Sequence, residues 1–352
     1  MAKVDPKFGK ELIKYGAVDF TACYNCGTCT AVCSLSTEEN SFPREMVRYS
    51  VLGMKDSILA SNKPWLCYYC GECTTHCPKT ANPGELMMAL RRWLTVKYDW
   101  TGLSAFFYKL PFLIPILFLL LAIGVVFYAY LENYNVEKIM NVGHYFEFFA
   151  VLTVGVTILL PNLIRMWWFL IGKQKIKVPF KQYLIQFKEL IVHMFTQKRA
   201  LSCTDNKFRW FEHFILVLGY LGLLFTTVVL GWLHTDNLFI IILGYVESAV
   251  VFIVTADFVY GRIKKNKELN KFSHPSDWYF VIWLFLMGVT AFFVRLFVDL
   301  NLIENNLWLY LIHMMVLVQW ALVIVPFGKW THFLYRSFAM YYEKLKEVAQ
   351  TA

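Results

Sequence analysis

Charge is scarce in this chain. Only 17% of its 352 residues are Asp, Glu, Lys or Arg, against 58% hydrophobic and 18% aromatic, which excludes an ordinary soluble protein. No stretch alternates apolar and polar residues in the manner of a half-buried strand, so a β-sheet protein is excluded too. There is no glycine-rich phosphate loop, no nucleophile or substrate-pocket motif and no nucleic-acid-binding pattern, which argues against a self-contained enzyme and against a nucleic-acid partner. Met1 to Lys14 is polar and lacks an apolar core region, so it does not resemble a signal peptide. Histidine and cysteine are sparse as well, at 8 and 9 residues, and their placement is therefore informative.

Eight of the nine cysteines fall into two matched runs. Cys67, Cys70, Cys73 and Cys77 follow the spacing C-x2-C-x2-C-x3-C and precede Pro78, which is the run that holds a [4Fe–4S] cluster. Cys23, Cys26, Cys29 and Cys33 repeat it, with Ser34 where the proline would stand. Zinc is usually held by separated C-x2-C pairs, and thiols this close pair awkwardly as disulfides, so both alternatives fit the spacing less well. With the cross-over ligation of two-cluster ferredoxins, one cluster takes Cys23, Cys26, Cys29 and Cys77, and the other takes Cys67, Cys70, Cys73 and Cys33. Cys203 is left as a bystander thiol. Apolar residues recur at helical spacing over Lys10 to Tyr15, Pro43 to Lys55, Asp56 to Ala60 and Glu85 to Leu94, which predicts an all-helical cluster domain over residues 1–95.

After a connector at 96–109, six apolar spans follow at about 110–130, 145–172, 211–233, 238–261, 278–298 and 307–335, each near the ~20 residues needed to cross a bilayer. The predicted fold is therefore all-α: a helical two-cluster ferredoxin domain, a six-helix transmembrane bundle over 110–335 and a C-terminal tail at 336–352. Basic residues crowd the loops after the second and fourth spans, from Lys173 to Arg209 and from Arg262 to Lys271. The loops after the first, third and fifth spans hold one basic residue, Lys138. Positive loops stay inside, so both termini and the cluster domain are expected on the cytoplasmic side of a bacterial or archaeal membrane, where reducing conditions suit the thiolates. Tyr183 to Phe195 reads as an amphipathic helix that either lies at the lipid surface or packs beneath the cluster domain.

His213 and His332 are expected at the inner ends of the third and sixth spans, and His234 and His313 at their outer ends. Two imidazole pairs at two depths are what two b-type haems require, the inner on His213 and His332, the outer on His313 with His234 or the rival His144. An isolated boundary histidine is more often a plain interfacial residue. His76, His193 and His274 read that way. Charged groups inside spans are costly unless they face the bundle interior, which singles out Arg295 as a propionate partner and Glu247 or Asp299 as proton acceptors at a quinone. Each of these fits a structural pair with a neighbouring helix equally well.

Residues 15–95, with Cys-Tyr-Asn-Cys-Gly-Thr-Cys at 23–29, Pro43-Arg44, Trp65-Leu66-Cys67 and Cys77-Pro78, resemble the C subunits of heterodisulfide reductases. Residues 105–340, with Phe211-Glu212-His213, His313 and Pro326-Phe327-Gly328-Lys329-Trp330-Thr331-His332, resemble the haem b membrane subunits of the heterodisulfide reductase E and nitrate reductase gamma type. Their fusion in this order is similar to the family of C subunits of quinone-interacting membrane-bound oxidoreductase (Qmo) complexes. That resemblance implies a subunit of a quinone-dependent oxidoreductase which oxidises menaquinol and passes electrons through haem b and the clusters. The implied acceptors are cytoplasmic flavin/iron–sulfur subunits like Qmo A and B, leading to adenylylsulfate reductase in dissimilatory sulfur metabolism. A heterodisulfide reductase-like or DsrMK-like complex, or a haem-free membrane anchor, are the alternatives. One departure bears on the outer haem: the second histidine that the nitrate reductase subunits have ten residues after the first is Leu223 here.

Overall fold

The computed structural model of the chain describes residues 3–38, 40–202, 207–230, 237–265 and 268–351. Among them the regular elements are helical, as expected, and the β feature is an isolated bridge between Thr37 and Asn40. Cys203 and His234 lie outside the described residues.

The cysteine-bearing unit is built on α1 (Phe8–Ile13), α2 (Arg44–Leu52) and α3 (Pro83–Tyr98). Pro83 suits the first turn of α3, where its missing N–H has no intrahelical role. The helix then runs through the centre of the unit, with Leu86, Met87, Leu90, Trp93 and Leu94 wholly buried. A helix apolar on all sides needs partners on all sides. α3 finds them in α1 and α2 on one flank and in the membrane helices on the other.

Those helices are α4 (Pro111–Leu131), α5 (Val136–Gly172), α7 (Lys207–Val229), α8 (Leu238–Lys264) and α9 (Pro275–Asp299). With the run Glu304–Gln350 they make six helices long and apolar enough to cross a membrane. The last run breaks at Gly328, whose backbone is extended, into α10 (307–327) and α11 (Thr331–Thr351). Residues 336–351, expected as a tail, thus continue a helix whose inner face, including Ala339 and Leu345, is fully buried. Charges between the buried positions lower its hydropathy without removing its helical periodicity.

Between α5 and α7 lies α6 (Phe180–Thr196), the amphipathic stretch. It buries Gln186 and Leu190 against α11, and Tyr341 Oη donates to the Tyr183 carbonyl at 2.8 Å. Its opposite face leaves Phe180, Leu184 and Phe187 exposed.

Three joints fix the cluster unit to one end of the bundle, called proximal below. Arg92 of α3 donates to Asp277 of α9 at 2.7 Å and to the Tyr15 carbonyl at 2.8 Å, and Lys329 meets the same carboxylate at 2.9 Å. Trp65, Tyr98 and Tyr335 form a buried aromatic cluster, with Tyr335 5.3 Å from each of the other two rings. The third joint starts from a proline. Pro161 lacks the N–H that would bond the Thr157 carbonyl, and a π-helical turn over Gly155–Leu159 precedes it. Trp100 Nε1, just past α3, donates to that freed carbonyl at 2.9 Å, and Arg165 in turn caps the Tyr98 carbonyl at 2.9 Å. One continuous hydrophobic core consequently runs from Phe8 through the cluster unit to Trp320 inside the bundle.

Candidate functional site

The two cysteine runs share one backbone conformation. In each, a residue with positive φ precedes the second cysteine (Asn25 at 66°, Tyr69 at 57°), and a glycine at 93° follows it (Gly27, Gly71). Glycine bears that angle without a Cβ penalty. A helical turn then presents the third cysteine, over Thr28–Ala31 in one run and Glu72–Thr75 in the other. The same spacing of residue types thus produces the same loop twice.

Backbone amides point at the sulfurs. Asn25 N lies 3.4 Å from Cys23 Sγ, Tyr69 N 3.3 Å from Cys67 Sγ and Ala81 N 3.3 Å from Cys77 Sγ, a pattern that stabilises thiolate and sets cluster potential. The chain brings Cys77 into the electrostatic neighbourhood of Cys23, Cys26 and Cys29, and brings Cys33 beside Cys67, Cys70 and Cys73. The eight thiols are free of disulfides. Burial pushes the Cys33 and Cys67 thiols up to about 11, so these sites favour neutral thiols until a metal supplies positive charge.

Three arginines meet the second loop, one from α3 and two from the bundle helices α7 and α11. Arg91 Nε donates to the Pro64 carbonyl at 2.7 Å and its Nη2 to the Cys67 carbonyl. Arg209 donates to the Tyr69 carbonyl at 3.1 Å, and the Arg336 guanidinium sits 4.9 Å from the Tyr68 ring centre. All three also line a proximal cavity of the bundle. His213 of α7 and His332 of α11 line this cavity together, with Phe280, Trp320, Arg262 and Lys329.

His332 Nδ1 is 2.5 Å from the Lys329 carbonyl, which accepts its proton and leaves Nε2 with a free lone pair, the tautomer a metal ligand needs. Phe258 packs 5.5 Å from the His213 ring and Phe280 5.8 Å from that of His332. Two neutral imidazoles in an aromatic-walled cavity rimmed by cations are the donor set and charge that a haem with two propionates requires, so these residues fit the group.

A distal cavity lies between α5, α7, α9 and α10. Its walls are mostly apolar, and its polar side chains include His313 and Glu147. Tyr220, Trp320 and Trp330 line both cavities, and Trp320 Nε1 donates to Tyr220 Oη at 3.1 Å across the partition. π-helical turns at Phe225–Leu230 and Trp320–Ile324 widen the helices where they border these spaces.

The remaining sequence candidates stand elsewhere. Among the described residues His313 is the one histidine lining the distal cavity, where Leu223 occupies the wall of α7. His144 packs near Tyr145, its ring centre 6.4 Å away, and does not line that cavity. Arg295 pairs with Asp299 at 3.2 Å, and Tyr245 Oη donates to the same carboxylate at 2.8 Å, a joint between α8 and α9 outside both cavities. Glu247 accepts from Thr226 at 2.9 Å and lies against Gly222, where a Cβ would come within 2.1 Å of its carboxylate; it ties α7 to α8. Arg209 and Arg262 were legible only as topology charges, and Arg91, Lys329 and Arg336 were not singled out as site residues, because spacing does not reveal which basic side chains turn inward.

Comparison with known proteins agrees with the cysteine geometry. Residues 22–82 match the family described as the 4Fe-4S dicluster domain, which supports iron–sulfur clusters in this unit. A protein of Archaeoglobus profundus that is similar to the C subunits of heterodisulfide reductase is 33% identical over 90 residues, 25% of this chain and 48% of that protein. The iron–sulfur C subunit of the CoB--CoM heterodisulfide reductase of Methanopyrus kandleri is 31% identical over 88 residues, 25% and 44% of the two chains. For the C subunit of the H(2):CoB-CoM heterodisulfide,ferredoxin reductase of Methanothermobacter thermautotrophicus the values are 29% over 76 residues, 22% and 41%. The chain thus spans less than half the length of these curated relatives, and no solved structure matches it. Its cysteine-bearing part is similar to the iron–sulfur C subunits of heterodisulfide reductases.

Proposed function

We propose that this chain is the membrane-embedded electron-transfer subunit of a heterodisulfide reductase-like complex, oxidising menaquinol and delivering electrons to cytoplasmic flavin/iron–sulfur partners. In the Qmo-like form of this reading those partners lead to adenylylsulfate reductase. The ligand sets are Cys23, Cys26, Cys29 and Cys77 for one [4Fe–4S] cluster, and Cys67, Cys70, Cys73 and Cys33 for the other. His213 and His332 hold one haem b. When bound, these groups accept and release single electrons at potentials set by their surroundings. The excess of basic residues in the loops after the second and fourth spans supports a cytoplasmic cluster unit.

One observation carries the reading: the cavity lined by His213 and His332 is also lined by Tyr68 and Tyr69 of the second cysteine loop. Two kinds of redox centre thereby share a wall. The protein's work there is electrostatic and positional. Arg91, Arg209 and Arg336 hold the Cys67–Cys70 backbone and present positive charge to both centres, favouring their reduced states. His332 is oriented by the Lys329 carbonyl.

The experiment is metal and haem counting on the full chain purified without oxygen, with dithionite-reduced and menadiol-reduced spectra. The expected content is about eight cluster irons and one to two haems b per chain, with the haem reduced by menadiol. Zinc in the cysteine unit, or the absence of a b-type spectrum, overturns the reading.

A further inference from the structure

We propose that α6 lies in the plane of the membrane surface, its exposed apolar stripe sunk into the leaflet at the proximal end and its lysines bound to anionic phospholipid headgroups. The stripe is regular. Phe180, Leu184, Phe187, Ile191 and Phe195 recur at helical spacing, so they share one face, and all five are exposed, Phe180 at 77% and Leu184 at 65%. A continuous row of large apolar side chains is more than the scattered single ones a water-facing surface ordinarily carries.

Two tryptophans set the depth of the helix. Trp167 Nε1, near the proximal end of α5, donates to Tyr183 Oη at 3.0 Å, and Trp210 Nε1, in the first turn of α7, donates to the Thr196 carbonyl at 3.0 Å. Both ends of α6 are thereby tied to the ends of two membrane spans, the level at which tryptophan gathers along a bilayer. Tyr341 and its helix α11 cover the opposite face, so the stripe points away from the protein. A soluble protein is the rival occupant, but at this depth the medium beside the bundle is lipid.

Charge selects the headgroup. Between Lys173 and Lys198 there are six lysines and one acid, Glu189. Lys173 pairs with Asp56 at 3.2 Å, and the Glu189 carboxylate lies 3.5 Å from His193. Lys175, Lys177, Lys181 and Lys188 are exposed, and the last two flank the stripe on α6 itself. Methylene stems laid along an apolar face, with ammonium groups at its rim, suit a helix resting in an anionic leaflet. The other end of this contact reaches the interior: Gln197, which closes α6, lines the proximal cavity.

The test uses the full chain in nanodiscs of equal parts phosphatidylcholine and phosphatidylglycerol. The photoreactive residue p-benzoylphenylalanine replaces Phe187 or, as a control in a membrane span, the exposed Leu119 of α4. On irradiation both positions should yield phospholipid adducts by mass spectrometry, with those at Phe187 enriched in phosphatidylglycerol. Adding Lys181→Gln and Lys188→Gln together should lower that enrichment about fivefold or more, the effect of roughly one lysine at an anionic surface. Both lysines are exposed, so the thermal midpoint should not move. Lipid adducts at Leu119 with none at Phe187 overturn the placement, whether Phe187 stays unreacted or joins to a protein that co-purifies. Equal capture of the two lipids at Phe187, or enrichment that survives the double substitution, overturns the headgroup contact and the proposal with it.

Discussion

The two cavities are neighbours that share a wall and differ in almost everything else. The proximal one is ringed by Arg91, Arg209, Arg262, Lys329 and Arg336 and holds two histidines, whereas the distal one is walled by aliphatic side chains and offers one histidine and one carboxylate. Fixed positive charge suits a resident, anionic redox group beside thiolate clusters. A mostly apolar space suits an apolar molecule instead. The difference teaches that one bundle sets a charged and an apolar cavity side by side across a shared wall.

Removing a thiolate should have the largest effect. Cys73→Ser is expected to lower iron from about eight to about four per chain, read by iron assay and by the spin signal of the surviving cluster. The histidines sharpen the contrast between cavities directly. His332→Ala should remove the haem held with His213, and His313→Ala should leave that haem in place, both measured as haem per polypeptide.

Next come the joints that hold the proximal end together. Trp65 is 1% exposed within the aromatic cluster, and Trp65→Ala should cost about 3–5 kcal/mol, seen as a lower thermal midpoint in detergent. Arg92→Ala leaves Asp277 with Lys329 as its remaining ion-pair partner and should cost about 3 kcal/mol, with faster protease cleavage between cluster unit and bundle.

The smallest effect expected is one of pH. Glu85, at the start of α3, is buried, and burial raises its carboxyl from 4.5 to about 7 against the pull of Arg92 and Lys329. Below about pH 4.5 the group is protonated whether the chain is folded or not, so wild type and Glu85→Gln should unfold alike. As pH rises towards about 7 the unfolded chain gives up the proton first, and wild type should lose about 2–3 kcal/mol that the glutamine variant keeps. Equal midpoints for the two chains at pH 8 would show the carboxyl to be better solvated than its burial indicates.

Much of this arrangement was legible beforehand. The cysteine spacing marked both loops because three ligands of one cluster come from adjacent turns, and the apolar runs marked six spans because length and hydropathy alone decide whether a helix crosses lipid. The amphipathic Tyr183 to Phe195 stretch was found, but its docking on α11 was not, since periodicity identifies a buried face without naming its partner. Arg295, Glu247 and Asp299 stood out as charges in apolar helices; Glu247 and Asp299 form interhelical joints and Arg295 pairs with Asp299 along α9, and the cost of a membrane charge is met by any partner, catalytic or not.

By itself the sequence determined what depends on neighbours along the chain: helix over strand, the repeated cysteine loop with its left-handed glycine, and the number of spans. Tertiary structure alone decided which distant groups meet. Arg92 and Asp277 stand 185 residues apart, Arg209 and Tyr69 140 apart, and nothing in local spacing couples them. Their encounter follows from how the helices share one buried core, and so does the division into a charged and an apolar cavity.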